Sequence, residues 1–243
     1  MNVVGADKDD GQHKEIVAKS AGVKRNRSGR ITRDKIMDAA EELFALKGVH
    51  GASLREIMIA AGVNIAAVNY YFGSKSDLLH AVIHRRASQI NSARLEMLEE
   101  ARKAGNGVPS IEGWLIAIVK PFIDAEGSND PGWRHFVRVL NWTATVPDDM
   151  SRNVIRETYN NMREAFLESL CDVLPNLSRE EVNWRYHCVL AVLRSCVAAR
   201  DRTAEVSGGS IDPENLDRMM SHVMPFLIAG LTAPPTGKRS SVN

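Results

Sequence analysis

The sequence predicts an all-α fold of about nine helices, with a small helical head near the N-terminus and a larger helical body behind it. Three observations predict this fold. Apolar residues recur at the three- and four-residue spacing of an amphipathic helix along most of the chain. Serine-led capping signals open several of these segments, and stretches rich in Gly, Pro or Asn separate them. No segment shows the pattern of a strand between them.

Composition divides the chain into four parts. Residues 1–30 lack apolar periodicity and are expected to form a disordered basic arm, and residues 232–243 a disordered tail. Residues 31–78 are expected to form the head, and residues 79–231 the body. Because residues 24–33 are strongly basic, the arm either binds phosphate or the minor groove, or is a solvated tail.

The first two helices of the head have clear ends. An apolar face over residues 33–47 predicts the first helix, which Gly48 ends. Ser53, followed by Glu56 three residues later, forms a capping box that starts the second helix. Gly62 ends this helix, because a sharp reversal of the chain needs the backbone freedom of glycine.

Two more helices follow the reversal. Asn64 is a suitable N-cap for a short third helix. Ser74 and Asp77 form a second capping box, which opens a long helix through about Lys103. Residues 104–110 then form a loop.

Five further helices are expected to complete the body. Pro121 lies inside the first of them and predicts a kink or an early end there. Asp212 and Pro213 supply the N-cap and the first helical residue of the last one. The predicted helices are 111–125, 133–145, 147–174, 178–204 and 212–230.

Composition and charge limit the class of protein. The chain has 243 residues, 44% hydrophobic and 25% charged, which is ordinary for a globular protein. Neither a membrane-spanning apolar run nor a signal peptide is evident, so we expect a cytoplasmic protein without a membrane partner. Eleven basic and six acidic residues lie between Lys24 and Arg86, and this basic front suits binding to a polyanion.

Enzymatic and metal chemistry find no support in the sequence. No GxSxG, phosphate-cradling glycine loop or HExxH motif is present, so we expect no catalytic residues, no metal and no cofactor. Cys171, Cys188 and Cys196 form neither a disulfide framework nor a zinc site, and are expected to be buried free thiols. His80 and His84 have metal-ligand spacing, but no third ligand is evident.

The stretch from Ser53 to Leu78 is the most informative part of the chain. It comprises two short helices joined by a tight Ala-Gly turn, with a basic residue at the start of the next helix. That is the layout of a helix-turn-helix, in which the second helix enters the major groove of DNA and the first braces it.

Residues 36–79 resemble the DNA-binding domain of tetracycline-repressor (TetR) family regulators. The motifs that carry the resemblance are Ala61-Gly62-Val63, Tyr71-Phe72 and Gly73-Ser74-Lys75. The resemblance implies a homodimer that binds a near-palindromic double-stranded DNA operator, and a small-molecule effector that releases this repressor. An activator of the same family and an architectural DNA binder without small-molecule sensing are the alternatives.

Further features resemble one branch of this family. Asn69 stands where most members carry tyrosine, and this variant resembles a branch that responds to fatty acids or their acyl-CoA esters. Residues 184–187 and 223–227 of the body also resemble that branch. The resemblance therefore implies a small apolar or acidic effector, such as a fatty acid or acyl-CoA.

Position within the motif gives the DNA-binding residues their roles. Arg55 matches a family position that can reach a guanine, and Asn69 can pair with adenine. Lys75, at a helix N-terminus, is suited to phosphate. The alternatives are a surface salt bridge to Glu56 for Arg55 and core packing for Tyr71. The predicted DNA-binding residues are Ser53, Arg55, Asn64, Ile65, Ala66, Asn69, Tyr70, Tyr71 and Lys75.

The middle helices of the body are expected to enclose the effector, because they are dense in aromatic residues and methionine. Arg138 falls on an apolar stretch, and a buried arginine is costly unless it is paired or binds an anion. We therefore expect a ligand with an acidic head group, and the alternative is a structural ion pair with Glu157, Glu164 or Glu168. The predicted ligand-binding residues are Trp114, Phe122, Trp133, Phe136, Arg138, Trp142, Arg185 and His187.

Apolar stripes on the last two helices are expected to pair two subunits. In the family that the chain resembles, the corresponding helices build a four-helix bundle, and two-fold operators require two heads ~34–36 Å apart. The alternative is that the stripes form only an intramolecular core. The predicted interface residues are Val189, Leu193, Val197, Phe226 and Leu227.

Overall fold

A computed structural model describes residues 9–64, 66–127, 130, 132–198, 200–212 and 214–236 of the chain. These residues form ten helices and no strand, which confirms the predicted all-α fold. In chain order the helices are α1 Asp9–Gly51, α2 Leu54–Ala61, α3 Ala66–Tyr71, α4 Lys75–Ala104, α5 Ile111–Glu126, α6 Gly132–Thr145, α7 Asp149–Val173, α8 Arg179–Ala198, α9 Arg200–Val206 and α10 Leu216–Thr232.

Helix α1 is longer than the sequence predicts. It begins at Asp9, so residues 9–30 are helical where a disordered arm is expected, and residues 1–8 lie outside the described part. The absence of proline from this stretch, and its content of Lys, Arg, Glu and Ala, allow the helix to extend backwards from the buried turns after Ile36. Gly48, with φ 72° and ψ 161°, interrupts α1 at the predicted end.

Three other element boundaries differ from the prediction. Helix α5 continues through Pro121 to its end. The helix predicted over 178–204 is divided into α8 and α9. Asn215, and not Asp212, caps α10, because its side-chain oxygen accepts the Arg218 N–H at 2.9 Å, whereas Asp212 accepts the N–H of Glu214 in the preceding loop.

The core has two parts that share α4. One joins the head to the body: Phe44 of α1 and Ile83 of α4 lie in the same buried cluster as Phe136 of α6. The other lies among α5, α7, α8 and α10, where the Trp114 indole N–H donates to the Phe166 carbonyl at 3.1 Å. The predicted boundary between residues 78 and 79 therefore falls inside a continuous core, and α4 belongs to both head and body.

A buried ion cluster joins the same elements. Glu41 of α1 is 3% exposed and accepts hydrogen bonds from Arg86 of α4 at 2.7 and 2.9 Å and from Arg85 at 3.2 Å. Arg86 also donates to Asp130, just before α6, at 2.7 Å, and its guanidinium lies 5.0 Å from the centre of the Trp133 ring. This cluster fixes α1, α4 and the start of α6 relative to one another.

Candidate nucleic-acid interface and ligand pocket

The turn between α2 and α3 has the geometry that the sequence predicts. Ser53 caps α2: its hydroxyl accepts the Glu56 N–H at 3.2 Å, and its own N–H donates to the Glu56 carboxylate at 2.9 Å. Gly62 ends α2 in the left-handed region at φ 66° and ψ 33°, and the next N–H, that of Val63, donates to the Met58 carbonyl at 3.1 Å. This closure reverses the chain within two residues and directs α3 away from α2.

Helix α3 presents polar side chains to solvent. Asn69 and Asn64 are exposed, and Tyr70 is 82% exposed. The Tyr71 ring meets Tyr70 edge-on at 4.9 Å and packs partly against the core, as the packing alternative expects, and its contact with DNA stays a prediction. Ile65 lies outside the described residues, as does the side chain of Ala66.

Arg55 is available for an outside partner. It is exposed and makes no ion pair within the part of the chain that the structure describes. The expected alternative partner, Glu56, is engaged elsewhere, since Lys47 donates to it at 2.6 Å. The hydrogen bond from Lys47, with those from Ser53, lowers the pKa of Glu56 to about 2. Glu56 therefore stays charged and holds α2 to α1.

Lys75 lies at the first residue of α4, directly after its N-cap Ser74. Its ammonium is 3.5 Å from the backbone carbonyl of His50. Partial burial lowers the pKa of Lys75 from its ordinary value. Glu56 attracts this ammonium and opposes that lowering. A partly buried cation beside the N-terminus of a helix is a combination that suits phosphate.

A cavity of about 220 Å³, partly open to solvent, lies in the body and is lined by helices α4 to α8. Its wall is mainly apolar, with Tyr159, Tyr186 and Asn141 among the polar exceptions. Three arginines also line it, and no acidic residue does among the described lining. The lining residues are Ile90, Arg94, Val119, Phe122, Ile123, Val137, Leu140, Asn141, Ala144, Ile155, Tyr159, Met162, Arg163, Tyr186, Leu190, Leu193, Arg194 and Val197.

Arg94 is the most unusual of these residues. It is 9% exposed, and its Nε donates to the backbone carbonyl of Ile118 at 2.8 Å. Within the described residues it has no carboxylate partner, and burial lowers its pKa. The nearby hydroxyls of Tyr159 and Tyr186 stay protonated, because burial raises the pKa of each to about 12. Among the residues that the structure describes, the Tyr186 hydroxyl finds no hydrogen-bond partner.

One of the eight predicted ligand residues, Phe122, lines the cavity. Four aromatic residues lie elsewhere for a structural reason: Trp114 and Phe136 fill the core, Trp133 packs on Arg86, and Trp142 meets the His50 ring at 5.3 Å. The remaining predicted ligand residues, which also lie outside the cavity lining, are Arg138, Arg185 and His187.

The basic residues among these do not face the cavity. Arg138 and His187 are exposed. Arg185 donates to Glu181 at 2.6 Å and to the backbone carbonyls of Leu231 and Ala233 at 2.6 and 2.7 Å. Arg185 therefore stabilises the end of α10, which supports the ion-pair alternative, although with a different glutamate.

Sequence reasoning missed Arg94, Tyr159 and Tyr186. A signal for Arg94 exists: Ala87, Ile90 and Leu98 are buried along one face of α4, and Arg94 occupies that face at helical spacing. A charged residue in an apolar stripe needs a partner of opposite charge, which either the protein or a ligand supplies. The tyrosines carry no such signal, because buried tyrosine is common in cores.

Most of the predicted dimer residues are not on the surface. Val189 and Leu227 are buried where α8 and α10 pack against α5 and α7, and Val197 is buried in the core that joins head and body. Leu193 lines the cavity. Phe226, by contrast, is 66% exposed. On α8 the exposed apolar residue is Trp184, at 64%, which the prediction did not include among interface residues.

Other sequence expectations concern cysteines, metals and membranes. Cys171, Cys188 and Cys196 are free, but none is fully buried as expected: Cys171 and Cys196 are partly buried, and Cys188 is exposed on α8. Within the described residues, His80 and His84 belong to no cluster able to hold a metal ion. None of the described helices is both long enough and apolar enough to span a membrane.

Two family patterns match the chain. The pattern described as "Bacterial regulatory proteins, tetR family" matches residues 36–82, which contain α2, α3 and the start of α4. The pattern described as "Tetracyclin repressor-like, C-terminal domain" matches residues 116–230. The probable regulator YttP of Bacillus subtilis is 44% identical over 130 residues, which is 53% of this chain and 60% of YttP. The chain thus spans less than two thirds of this curated relative.

Solved structures show the same fold. A transcriptional regulator FadR from Bacillus subtilis, in complex with stearoyl-CoA, is 18% identical, with a TM-score of 0.54 over 81% of this chain and 97% of its own. NalD, the secondary repressor of a multidrug efflux pump in Pseudomonas aeruginosa, is 21% identical, with a TM-score of 0.56 over 84% of this chain and 97% of its own. At these identities the likeness is one of fold.

Proposed function

Because this chain belongs to the tetR family of bacterial regulatory proteins, as its sequence resemblance indicated, we propose that it is a homodimeric repressor that a small apolar or acidic effector, such as a fatty acid or acyl-CoA, releases from DNA. The family assignment agrees with a regulator and not an enzyme. The observation that carries the proposal is the combination of exposed side chains on α3 with a mainly apolar cavity that is lined in part by α4, the helix that follows α3.

DNA recognition is assigned to α3 and the residues that support it. Asn69 and Tyr70 point into solvent from α3 and are free to reach base edges or phosphates. Arg55 on α2 and Lys75 at the start of α4 lie on either side of α3 in the sequence and would add positive charge to the interface. Phosphate contacts fix the register of the head, and base contacts give it sequence preference.

Two copies of the chain are needed for this use of α3. A near-palindromic operator presents two half-sites about 34–36 Å apart, and one head covers only one of them. Trp184 on α8 and Phe226 on α10 are the large exposed apolar side chains of those helices. Pairing these faces across a two-fold axis would bury both residues and form the four-helix bundle that the family resemblance implies.

Helix α4 supplies the connection between effector and DNA. It begins at Lys75 in the head and carries Arg94 to the cavity wall, about 28 Å further along at 1.5 Å per residue. Its N-terminal half is fixed to α1 through Arg86 and Glu41. An effector that binds better to one arrangement of α4 changes the distance between the two heads, and it shifts the equilibrium only by that difference in affinity.

The direct test is recovery of the binding site. Purified full-length protein is incubated with fragments of its host genome at physiological salt concentration, and the DNA fragments that the protein retains are sequenced. The proposal expects a short list of sites sharing a near-palindromic motif, and loss of retention for Tyr70→Ala. Retention of all fragments alike, as an architectural binder would give, contradicts it.

A further inference from the structure

The effector cavity contains a charge that the protein itself does not neutralise. Arg94 is nine-tenths buried, and the cavity lining described by the structure includes no carboxylate. Arginine cannot lose its proton in a protein, so the charge is present in the ligand-free state. Burying an unpaired cation destabilises the fold, and a residue that fills space only would be better as methionine or leucine.

The atoms of Arg94 show where a partner would bind. Its Nε is fixed by the Ile118 carbonyl at 2.8 Å, and this is the hydrogen bond that the described residues provide for the guanidinium. The two terminal nitrogens therefore remain to donate in the fork geometry that matches a carboxylate. Tyr186 adds a buried hydroxyl without a partner, and Tyr159 a second hydroxyl on the same wall.

We infer that the effector carries a carboxylate that binds the guanidinium of Arg94, and that the effector is a free organic acid with a short apolar chain and not its coenzyme A ester. This inference rests on the proposed effector-responsive function and deepens it. A thioester has no carboxylate at the end of the acyl chain to pair with Arg94. The hydroxyls of Tyr186 and Tyr159 donate to the same carboxylate oxygens.

The cavity volume sets the size of the acid. A cavity of ~150 Å³ holds benzene, with its six carbon atoms, so the cavity of about 220 Å³ holds on the order of nine non-hydrogen atoms. The apolar wall, with side chains such as Phe122, Leu140 and Met162, receives the hydrocarbon part. Hexanoate and octanoate are acids of this size, whereas a coenzyme A group is several times larger than the cavity and would have to extend into solvent.

The test measures binding of octanoate to the full-length protein by isothermal titration calorimetry. Hexanoate and decanoate are further probes, and octanol, methyl octanoate and octanoyl-CoA are the comparison compounds. We expect at least one of the three acids to bind with 1:1 stoichiometry per subunit, and at least tenfold more tightly than the neutral compounds or the thioester. Absence of binding by all three acids, or tighter binding of octanol or octanoyl-CoA, would overturn the inference.

Three variants locate the site. Arg94→Met keeps the side-chain bulk but removes the charge, and is expected to weaken octanoate binding at least tenfold while leaving the ligand-free melting temperature unchanged or higher. Tyr186→Phe removes only the unpaired hydroxyl, so it is expected to fold normally and to weaken binding severalfold. Arg138→Met is the matched control, because Arg138 is exposed and outside the cavity. Full octanoate affinity in both Arg94→Met and Tyr186→Phe would refute the site.

The same ligands added to the operator complex separate this inference from the proposed function. If octanoate binds through Arg94 but operator affinity is unchanged, the acid site stands and the effector-responsive function fails. If octanol or octanoyl-CoA releases the operator equally from wild type and Arg94→Met, the regulator stands and the acid site fails. Both claims are supported if octanoate releases the operator from wild type but not from Arg94→Met.

Discussion

Glu41→Gln is the substitution that most sharply tests the connection between head and body. Glu41 is 3% exposed and binds two arginines of α4 at 2.7, 2.9 and 3.2 Å. Burial by itself would lower the pKa of Arg86, but the hydrogen bonds to Glu41 and Asp130 outweigh it and raise the pKa above its ordinary value. The Glu41 carboxylate is therefore the partner that both arginines share, beside Asp130 for Arg86 and Asp38 for Arg85.

The size of the effect follows from the geometry. A charge pair at 2.7 Å with an effective dielectric constant of about 20 gives an attraction of about 6 kcal/mol before the cost of desolvation. Removing one partner of a buried pair costs about 3–5 kcal/mol, because the remaining charge stays buried. A glutamine at position 41 still accepts one hydrogen bond, so we expect a loss near the lower end, about 3 kcal/mol.

Urea unfolding followed by helical circular dichroism measures this loss. The midpoint for Glu41→Gln should fall while the slope with denaturant stays the same, because the surface exposed on unfolding does not change. Glu42→Gln is the matched control: the residue is next in sequence, carries the same charge and is exposed. A loss below about 1 kcal/mol for Glu41→Gln, or equal losses for the two variants, would refute this reasoning.

Three further substitutions test other parts of the account. Lys75→Ala is expected to lower operator affinity severalfold and to reduce the slope of log affinity against log salt by about one, whereas the exposed Lys103→Ala at the far end of α4 leaves both unchanged in anisotropy titrations. Trp184→Glu, alone or with Phe226→Glu, should give monomers in sedimentation velocity with unchanged helicity; persistent dimers would place the interface elsewhere. The Glu56 pKa of about 2 lies below its unfolded value, so its contribution to stability is complete above about pH 4.5 and is lost as pH falls towards 2. Glu56→Gln should therefore be less stable than wild type at pH 7, with the difference shrinking at pH 3 in urea midpoints; a constant difference contradicts the pKa.

The head could be predicted from the sequence in detail because its signals are local. The capping box at Ser53, the left-handed Gly62 and the cap at Ser74 each act within four residues, and all three form as predicted. Residues that stay exposed on α3, such as Asn69 and Tyr70, follow from the same short-range pattern. Helix ends set by weaker signals, such as the N-cap of α10, were less predictable, because Asp212 and Asn215 are both good caps and loop geometry chooses between them.

The pocket could not be predicted in the same way, because it depends on packing between helices that are far apart in sequence. Aromatic residues such as Trp114 and Phe136 are equally suited to a core and to a ligand wall, and tertiary packing placed them in the core. The sequence predicts that a buried arginine, Arg138, faces an acidic ligand. In the structure Arg138 is exposed, and the buried arginine that lines the cavity is Arg94. Which face of a helix meets a cavity is a tertiary property.

The interface between subunits shows the same limit. Val189 and Val197 on α8 and Leu227 on α10 belong to the two predicted apolar stripes, and all three are used inside the subunit. Trp184 and Phe226 stay exposed because they lie on the opposite sides of α8 and α10. A sequence shows that a helix has apolar residues on two sides, but it does not show which side meets the subunit's own core.

Hydroxyl-radical footprinting on a recovered operator tests the central claim most directly, namely that two copies of α3 enter successive major grooves of one DNA duplex. The account predicts two protected patches on one face of the duplex, with centres about 34–36 Å apart, and loss of both patches with Tyr70→Ala. A single protected patch, or protection that Tyr70→Ala leaves intact, would contradict it.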